Sequence, residues 1–359
     1  MKIKIGKKKL ENAINILNSY VDRKDNSGIS SHIVFKTHKD KNKLELYASD
    51  GEIGLKFFIK DVNINEEGFS TVNAKNISDV LKTLEYDEID IECINDSFFV
   101  KQNKTKCKLP IKIKDYITQF PINNDFENFN IDSVILSIGF KKVLPAIDNQ
   151  NMRQCLNGCL IDIKEDKINF VGSDTKRLAL YEVKQNELKE KSFIIPKRAI
   201  NELSKLLYEK IDFSFNKNYF LAKSENFEFF TKLINDNFPG YEKLFPKETP
   251  INFELKRDDF LNELKKISAI SEFCSLNFKK DKIVFESIKK DNSNIEAKTE
   301  IELNLALEEE FSINIKTKLL IDFLQNIETD IFSFEMISNN HAFVVSSGDY
   351  KTIIMPVNL

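Results

Sequence analysis

Apolar and polar residues alternate along the chain in a pattern that occurs more than once. Residues 43–50 (Lys-Leu-Glu-Leu-Tyr-Ala-Ser-Asp) and 51–59 alternate on either side of a Ser-Asp-Gly turn. Residues 167–174 and 175–181 repeat this arrangement around a second Ser-Asp sequence, and a more diverged copy begins at 282–287. Alternation with a period of two is typical of strands with one buried face, so each copy predicts a β-hairpin.

Two apolar stripes at helical spacing accompany each copy and predict two amphipathic helices per copy. Pro196 suits the first turn of its helix, whereas Pro145 is expected to bend the helix that contains it. The six stripes lie at residues 10–17, 74–84, 140–147, 196–207, 260–267 and 317–327.

A Tyr-x3-Phe-Pro sequence marks the end of the first two copies, at residues 116–121 and 241–246. Proline disfavours continuation of an element, so both sequences are interpreted as exits into linkers. The pattern predicts an α+β unit used three times, with about eight short strands in each. We expect these domains at residues 1–122, 128–247 and 249–359.

Length and charge limit the possible functions. A chain of 359 residues corresponds to two or three domains. Lysine and arginine number 53 against 56 acidic residues, so a nucleic-acid role must depend on local segregation of charge. Apolar runs are too short for a membrane helix and the N-terminus lacks an apolar signal core, so a cytoplasmic location without membrane contact is expected.

Catalytic signatures are missing from the sequence. No HExxH, GxxxxGK[ST] or GxSxG pattern occurs, which argues against metal-dependent hydrolysis, phosphate cradling and acyl transfer. The five cysteines are interpreted as free, mostly buried thiols. Cys155 and Cys159 could instead suggest a metal site, but neither a nearby histidine nor another cysteine pair completes one.

Basic residues are frequent on the polar sides of the predicted helices, while acidic residues concentrate elsewhere. Such bases either form ordinary solvated faces or contact the phosphates of a nucleic acid. They are Lys7, Lys8, Lys9, Lys75, Lys141, Lys142, Lys197, Arg198, Lys205, Lys256, Arg257, Lys265 and Lys266.

Four short sequences resemble one known family. Residues 149–160, 172–179, 238–241 and 355–359 resemble the bacterial sliding clamps, the beta subunits of DNA polymerase III. The resemblance extends over the whole chain in length, order and triplication, and is densest in the central third.

This resemblance implies three tandem copies of the DNA-clamp fold, each with two helices packed on antiparallel sheets. Two chains would form a head-to-tail homodimer, a six-domain ring that encircles duplex DNA without reading its sequence. The implied role is non-catalytic: the ring confers processivity on the replicative polymerase and needs no cofactor or metal. Implied partners are the polymerase alpha subunit, the clamp loader and other proteins with a clamp-binding motif, at the replisome on the nucleoid.

The family's partner-peptide pocket, between the second and third domains, implies a set of residues here. Thr175 and Lys176 replace often small or histidine residues, and Asn358 replaces a common arginine, so peptide preference is expected to differ. Leu156, Leu178, Leu244, Ile354 and Met355 are expected to form the apolar floor, with Arg177 anchoring the wall. The full set is Leu156, Ser173, Thr175, Lys176, Arg177, Leu178, Pro239, Lys243, Leu244, Leu319, Ile353, Ile354, Met355, Pro356, Val357, Asn358 and Leu359.

The family's DNA contacts imply a second set. It consists of Lys24 (or Arg23), Gln150, Arg153, Lys197 and Arg198. Edge strands near residues 72–84 and in the region of Ile283 are expected to join two chains.

Two other functions remain open on the sequence. The first is a peptide-binding scaffold that no longer encircles DNA. The second is an enzyme with a carboxylate site around Asp174 or Asp322, for which no spacing suggests a substrate. Residues 174–177 could also be no more than a charged hairpin turn.

Overall fold

The computed structural model describes residues 1–22, 24, 28–85, 87–112, 120–121, 125–186, 188–208, 210–288, 296–305, 307–338 and 341–357. The chain divides into two compact units. Unit 1 comprises residues 1–133 and 198–233, and unit 2 comprises residues 134–197 and 234–359.

The described residues contain six α-helices and 25 strands. The helices are α1 (Lys7–Leu17), α2 (Ala74–Thr83), α3 (Ser133–Val143), α4 (Lys197–Leu203), α5 (Arg257–Ser268) and α6 (Thr317–Gln325). The first strands are β1 (Lys2–Gly6), β2 (His32–His38), β3 (Lys43–Ser49), β4 (Ile53–Ile59), β5 (Asn63–Glu66), β6 (Phe69–Asn73), β7 (Glu88–Ile94), β8 (Ser97–Gln102), β9 (Thr105–Pro110), β10 (Glu127–Phe129), β11 (Gly158–Ile163), β12 (Lys167–Ser173) and β13 (Arg177–Lys184). The remaining strands are β14 (Lys191–Pro196), β15 (Asp212–Phe215), β16 (Tyr219–Lys223), β17 (Phe227–Lys232), β18 (Ile251–Lys256), β19 (Phe273–Phe278), β20 (Lys282–Ser287), β21 (Lys298–Glu302), β22 (Phe311–Lys316), β23 (Ile331–Met336), β24 (Phe343–Ser347) and β25 (Tyr350–Ile354).

Unit 1 contains two antiparallel sheets and the packed pair α1 and α2. One sheet has the order β5-β1-β7-β8-β9, and the other has the order β10-β15-β16-β17-β4-β3-β2-β6. Helix α2 begins where the sequence supplies a cap, because the side chain of Asn73 accepts hydrogen bonds from the amides of Lys75 and Asn76.

Unit 2 repeats this plan. Its larger sheet has the order β14-β11-β12-β13-β25-β24-β23-β18, its smaller one β21-β20-β19-β22, and α5 packs against α6. Asp258 and Asp259 in the first turn of α5, with Lys265 and Lys266 in its last turn, complement the helix dipole.

The hairpins and most helices agree with the sequence pattern. Strands β3–β4, β12–β13 and β20–β21 are adjacent antiparallel pairs in the three predicted places. Each eight-stranded sheet joins strands from two neighbouring predicted domains, so the domain boundaries themselves stay a prediction.

The helical stripes of the middle copy were predicted with the wrong extent. Helix α3 ends at Val143 and is followed by a 3₁₀ turn over Leu144–Ala146, because Pro145 has no amide to continue the helix. Helix α4 covers only Lys197–Leu203 of the predicted 196–207.

The edge expected near Ile283 is also corrected. Ile283 is buried on β20, an interior strand, and the edge strand beside it is β21. Among the described helices, none has the length and apolar character required to cross a membrane.

Candidate functional site

The hairpin turn between β12 and β13 is held by side chains that the sequence repeats in unit 1. Ser173 Oγ donates to the Arg177 carbonyl at 2.8 Å, and Asp174 Oδ1 accepts from the amides of Lys176 and Arg177, both at 3.0 Å. In unit 1, Ser49 and Asp50 make the same bonds to the turn between β3 and β4. These hydrogen bonds from side chains to the backbone fix the conformation of the turn in both units.

The C-terminal strand lies directly beside this hairpin. Strand β25 pairs with β13 so that Ile354 is opposite Arg177 and Ile353 is opposite Leu178. The Met355 amide then donates to the Lys176 carbonyl at 2.9 Å. The fold thus brings the predicted pocket residues of the hairpin together with those near the C-terminus.

An apolar cluster lies under the same region of unit 2. Leu156 and Leu178 belong to it, together with Tyr241 and, at its border, Phe238. The 3₁₀ turn Tyr241–Leu244 leads out of this cluster to the surface.

The predicted floor residues differ in exposure. Leu156, Leu178 and Ile354 are buried, whereas Leu244 is 56% exposed and Met355 is 47% exposed. Exposed apolar side chains above a buried apolar layer are typical of a surface that binds an apolar ligand. Of the other predicted pocket residues, Ser173, Leu319 and Ile353 are buried, Thr175, Lys176, Pro239 and Lys243 are exposed, and Pro356 and Val357 are half-buried. Asn358 and Leu359 lie outside the described residues.

The Arg177 side chain is buried, and its guanidinium makes both ion pairs and hydrogen bonds. Its guanidinium pairs with Asp174 at 3.2 Å and with Asp322 at 2.8 Å, and it donates to the carbonyls of Pro145 and Leu319. Arg177 therefore ties the hairpin to α6 and to the turn after α3. Asp322, considered above only as a possible catalytic carboxylate, serves here as a counter-charge.

Tyr241 is a residue whose role the sequence interpretation missed. Its hydroxyl donates to Asp162 Oδ2 at 2.8 Å and accepts from Asn169 Nδ2 at 2.7 Å, which fixes the start of the turn that carries Leu244. Burial, with the neighbouring Asp162 carboxylate, raises the pKa of Tyr241, so the hydroxyl stays protonated and can donate. Its place in the repeated Tyr-x3-Phe-Pro sequence was the available signal.

Two of the predicted DNA contacts lie on a loop of unit 2 that is stiffened by its own side chains. Asn151 Nδ2 donates to Asp148 Oδ2 at 3.0 Å, and Asn157 Nδ2 donates to the Asn151 carbonyl at 3.0 Å. The bond from Asn151 is the main reason why the pKa of Asp148 is lowered. Gln150 and Arg153 project from this loop and are exposed, and within the described chain their side chains make no hydrogen bond or ion pair.

The other predicted DNA contacts differ in exposure and in the groups that they bond to. Lys24 of unit 1 is exposed, and Arg23 lies outside the described residues. Lys197 is half-buried and donates to the Ile147 carbonyl at 2.6 Å, and burial lowers its pKa. Arg198 is exposed but pairs with Asp50 and donates to the Ser19 carbonyl at 3.1 Å within unit 1.

Two of the thirteen bases assigned to polar helix faces are buried, so that assignment is wrong for them. Lys7 pairs with Glu11 at 2.8 Å. Lys142 donates to the Asn326 carbonyl, and burial lowers its pKa. Neither ammonium faces solvent, and both satisfy groups of the fold itself.

The equivalent place in unit 1 is filled by aromatic rings. Gly54 takes the position along β4 that Leu178 takes along β13, and a Cβ at Gly54 would overlap the ring of Phe230. Phe230 also packs against Phe120, with ring centroids 5.2 Å apart. In unit 1, aromatic rings of the chain itself therefore pack at the position that is equivalent to Leu178.

Comparisons with known proteins agree on one family. Residues 1–118 match the family described as "DNA polymerase III beta subunit, N-terminal domain". Residues 130–240 match the family described as "DNA polymerase III beta subunit, central domain". A beta sliding clamp of Helicobacter pylori (strain ATCC 700392 / 26695) is 34% identical over 379 residues, with 100% of both chains covered.

Solved structures give the same result. The Helicobacter pylori beta clamp bound to a DNA ligase peptide is 33% identical, with 100% of each chain covered and a TM-score of 0.92. The DNA polymerase III subunit beta of Pseudomonas aeruginosa is 21% identical, with 100% of each chain covered and a TM-score of 0.91. The second similarity concerns the fold alone.

Proposed function

The chain belongs to the beta sliding clamp family of bacterial DNA polymerase III, and we propose that the surface around Leu244 and Met355 is its partner-peptide pocket. As a member of this family it is a processivity factor, not an enzyme, and it links DNA to proteins that dock by short peptides. The mechanism is therefore one of tethering.

The pocket proposal rests on one observation. Two exposed apolar side chains, Leu244 and Met355, lie in the part of unit 2 where Leu156 and Leu178 form a buried apolar layer. The other predicted residues that the structure describes complete the proposed pocket: Ser173, Thr175, Lys176, Arg177, Pro239, Lys243, Leu319, Ile353, Ile354, Pro356 and Val357. A short apolar peptide would exclude water from this surface, which is the main source of affinity at such sites.

The test uses the DNA ligase peptide of the Helicobacter pylori complex, labelled with fluorescein (hereafter the labelled peptide). Leu244→Ala and Met355→Ala should each weaken its binding by about tenfold, since each removes about 1 to 2 kcal/mol of apolar contact. Ile331→Ala is the matched control, because Ile331 is also half-exposed in unit 2 (49%) but belongs to no predicted pocket position. If the wild-type protein and the three variants bind the labelled peptide equally, the surface around Leu244 and Met355 is not the pocket.

We further propose three clamp domains, at residues 1–122, 128–247 and 249–359, and a head-to-tail ring of two chains. The matches over residues 1–118 and 130–240 support the first two domains. Strands β9 and β21 support the ring, since each is a sheet edge in the described chain and a sheet edge is a template for pairing. Exposed residues of opposite charge are available on them, with Lys106 and Lys108 on β9 and Glu300 and Glu302 on β21, although β21 also begins with the exposed Lys298.

Charge reversal tests this ring. Lys106→Glu with Lys108→Glu should shift the protein from dimer to monomer in sedimentation at low salt, because like charges would then meet across the contact. Adding Glu300→Lys and Glu302→Lys to the same chain should restore the dimer, since the proposed head-to-tail contact joins β9 of one chain to β21 of the other. If the fourfold variant stays monomeric, the contact between the two chains does not lie between β9 and β21.

We propose that Lys24, Gln150, Arg153, Lys197 and Arg198 face the encircled DNA, in the bacterial cytoplasm where the nucleoid is replicated. Topological retention separates the clamp from a scaffold that only binds peptides. After loading by the cognate clamp loader and ATP onto a nicked circle, the clamp should survive a high-salt wash and leave when the circle is cut. A scaffold would bind the labelled peptide but would not be retained.

A further inference from the structure

The sulfur atoms of the chain differ sharply in accessibility. Of the four methionines, Met152 is 100% exposed and Met355 is 47% exposed, whereas Met336 is fully buried. Met1 is half-buried. An oxidant in solution therefore meets the thioethers of Met152 and Met355 first.

Four of the five thiols compete poorly for the same oxidant; the fifth, Cys107, is half-buried on β9 of unit 1. Cys155, Cys159 and Cys274 are buried, and burial raises the pKa of each, as it does for the half-buried Cys93. A thiol reacts with peroxide as its thiolate, so a raised pKa and burial both slow that reaction. A thioether has no proton to lose and reacts in its only form.

We propose that Met355 is a modification site, at which oxidation of its thioether to the sulfoxide by a peroxide switches off partner docking. The inference rests on the proposed pocket. The sulfur lone pair attacks one peroxide oxygen, and the S–O bond forms as the O–O bond breaks. The proton of the attacked oxygen passes to the second oxygen, which leaves as water. Sulfur loses two electrons and the peroxide gains them. A methionine sulfoxide reductase reverses the step, with the oxygen leaving as water while two of its thiols become a disulfide.

The local backbone explains why oxidation at this position would matter. The Met355 amide is fixed to the Lys176 carbonyl at 2.9 Å, and Pro356 restricts the chain immediately after it. The side chain therefore stays at the surface of the pocket after oxidation. The strongly polar sulfoxide oxygen would have to lose its water when an apolar peptide docks, which lowers affinity by about tenfold or more.

The experiment treats the full-length protein with hydrogen peroxide and follows two quantities over time. Peptide mapping by mass spectrometry gives the gain of one oxygen at each methionine, and anisotropy gives the affinity for the labelled peptide. Met355→Leu replaces the thioether by a side chain of similar volume that peroxide does not oxidise. Met152→Leu is the matched variant that removes the other exposed thioether.

We expect wild-type protein and Met152→Leu to lose about tenfold or more in affinity, in step with oxidation of Met355, while Met336 stays unmodified. Met355→Leu should keep its own starting affinity. The rate at which affinity is lost should be the same from mildly acidic to mildly alkaline pH. A methionine sulfoxide reductase with thioredoxin should restore binding of the labelled peptide. A rate that rises with pH, or equal loss in Met355→Leu, would assign the effect to a cysteine and overturn the proposal.

Failure of this inference and failure of the pocket give different results. If Met355 is fully oxidised and affinity is unchanged although Met355→Ala weakens binding, the pocket stands and the switch is refuted. If neither oxidation nor Met355→Ala changes affinity, the pocket itself is refuted. If Met355 remains unoxidised while Met152 reacts, its thioether is shielded and the proposal is overturned.

Discussion

The guanidinium of Arg177 and the carboxylate of Asp322 form a buried ion pair, with Nη1 and Oδ2 2.8 Å apart. Arg177 begins β13, and Asp322 lies on α6. The pair therefore fastens the strand that carries Leu178 to a helix from a distant part of the sequence. Lys318 also reaches Asp322, at 2.9 Å, so the carboxylate balances two bases.

Removing the negative charge of Asp322 should destabilise unit 2 strongly. Asp322→Asn keeps the size of the side chain but leaves Arg177 buried with only Asp174 as its counter-charge. Breaking a buried pair in this way costs about 3 kcal/mol in the free energy of unfolding, which urea titration measures.

Glu328→Gln is the control for that variant. Glu328 faces Lys142 at 3.9 Å, but its side chain is mostly exposed, so the change should alter the free energy of unfolding by less than about 0.5 kcal/mol. Similar stability of Asp322→Asn and Glu328→Gln would mean that the buried pair contributes no more than a long pair with one exposed partner.

The hydroxyl of Tyr241 should matter more for docking than for folding. Tyr241→Phe removes the bond to Asp162 and frees the start of the turn that presents Leu244. We expect a loss of about 1 kcal/mol in stability and three- to tenfold weaker binding of the labelled peptide. Tyr47→Phe is the matched control, because Tyr47 is a buried tyrosine of unit 1 whose change should leave binding of that peptide unaltered. Weaker binding in both variants would point to a general loss of stability.

The predicted DNA contacts should fall into two classes by salt dependence. Arg153 has no ion-pair partner in the described structure, so Arg153→Ala should shallow the slope of log affinity against log salt by about 0.9. Arg198 is already balanced by Asp50, so Arg198→Ala should change the slope by less than about half of that value. Anisotropy of a short labelled duplex over a series of salt concentrations measures both. Equal changes would show that Arg198 leaves Asp50 when DNA is present.

The sequence predicted the hairpins and the starts of α2 and α6 because those depend on neighbouring residues, whereas α3 begins at Ser133, seven residues before its predicted stripe. Alternation identified β3–β4 and β12–β13. The cap of α2 by Asn73, which bonds to amides two and three positions away, is equally local but was not part of that prediction. The end of α3 was predicted wrongly because apolar spacing continues through Pro145 although the helix does not.

The supports of the site could not be predicted, since they join distant parts of the chain. Nothing near Asp322 in the sequence shows that its partner is Arg177, and the bond from Tyr241 to Asp162 forms only when the sheet is assembled. Burial of Lys7 was also missed, although its partner Glu11 lies only four residues away, a spacing at which ion pairs form on a helix. The pocket residues themselves came from the family resemblance and were not derivable from periodicity.

The two equivalent turns allow a reciprocal test of backbone strain. Thr175 has φ +71° and Gly51, at the same place in the first hairpin, has φ +90°. A β-branched residue with positive φ costs about 1–3 kcal/mol, while glycine loses about 0.5–1 kcal/mol more conformational entropy on folding. Thr175→Gly should therefore raise the free energy of unfolding by about 1 kcal/mol, and Gly51→Thr should lower it by about the same amount. Urea titration of both variants measures this difference, and a loss of stability in Thr175→Gly would mean that contacts of the threonine side chain outweigh the strain.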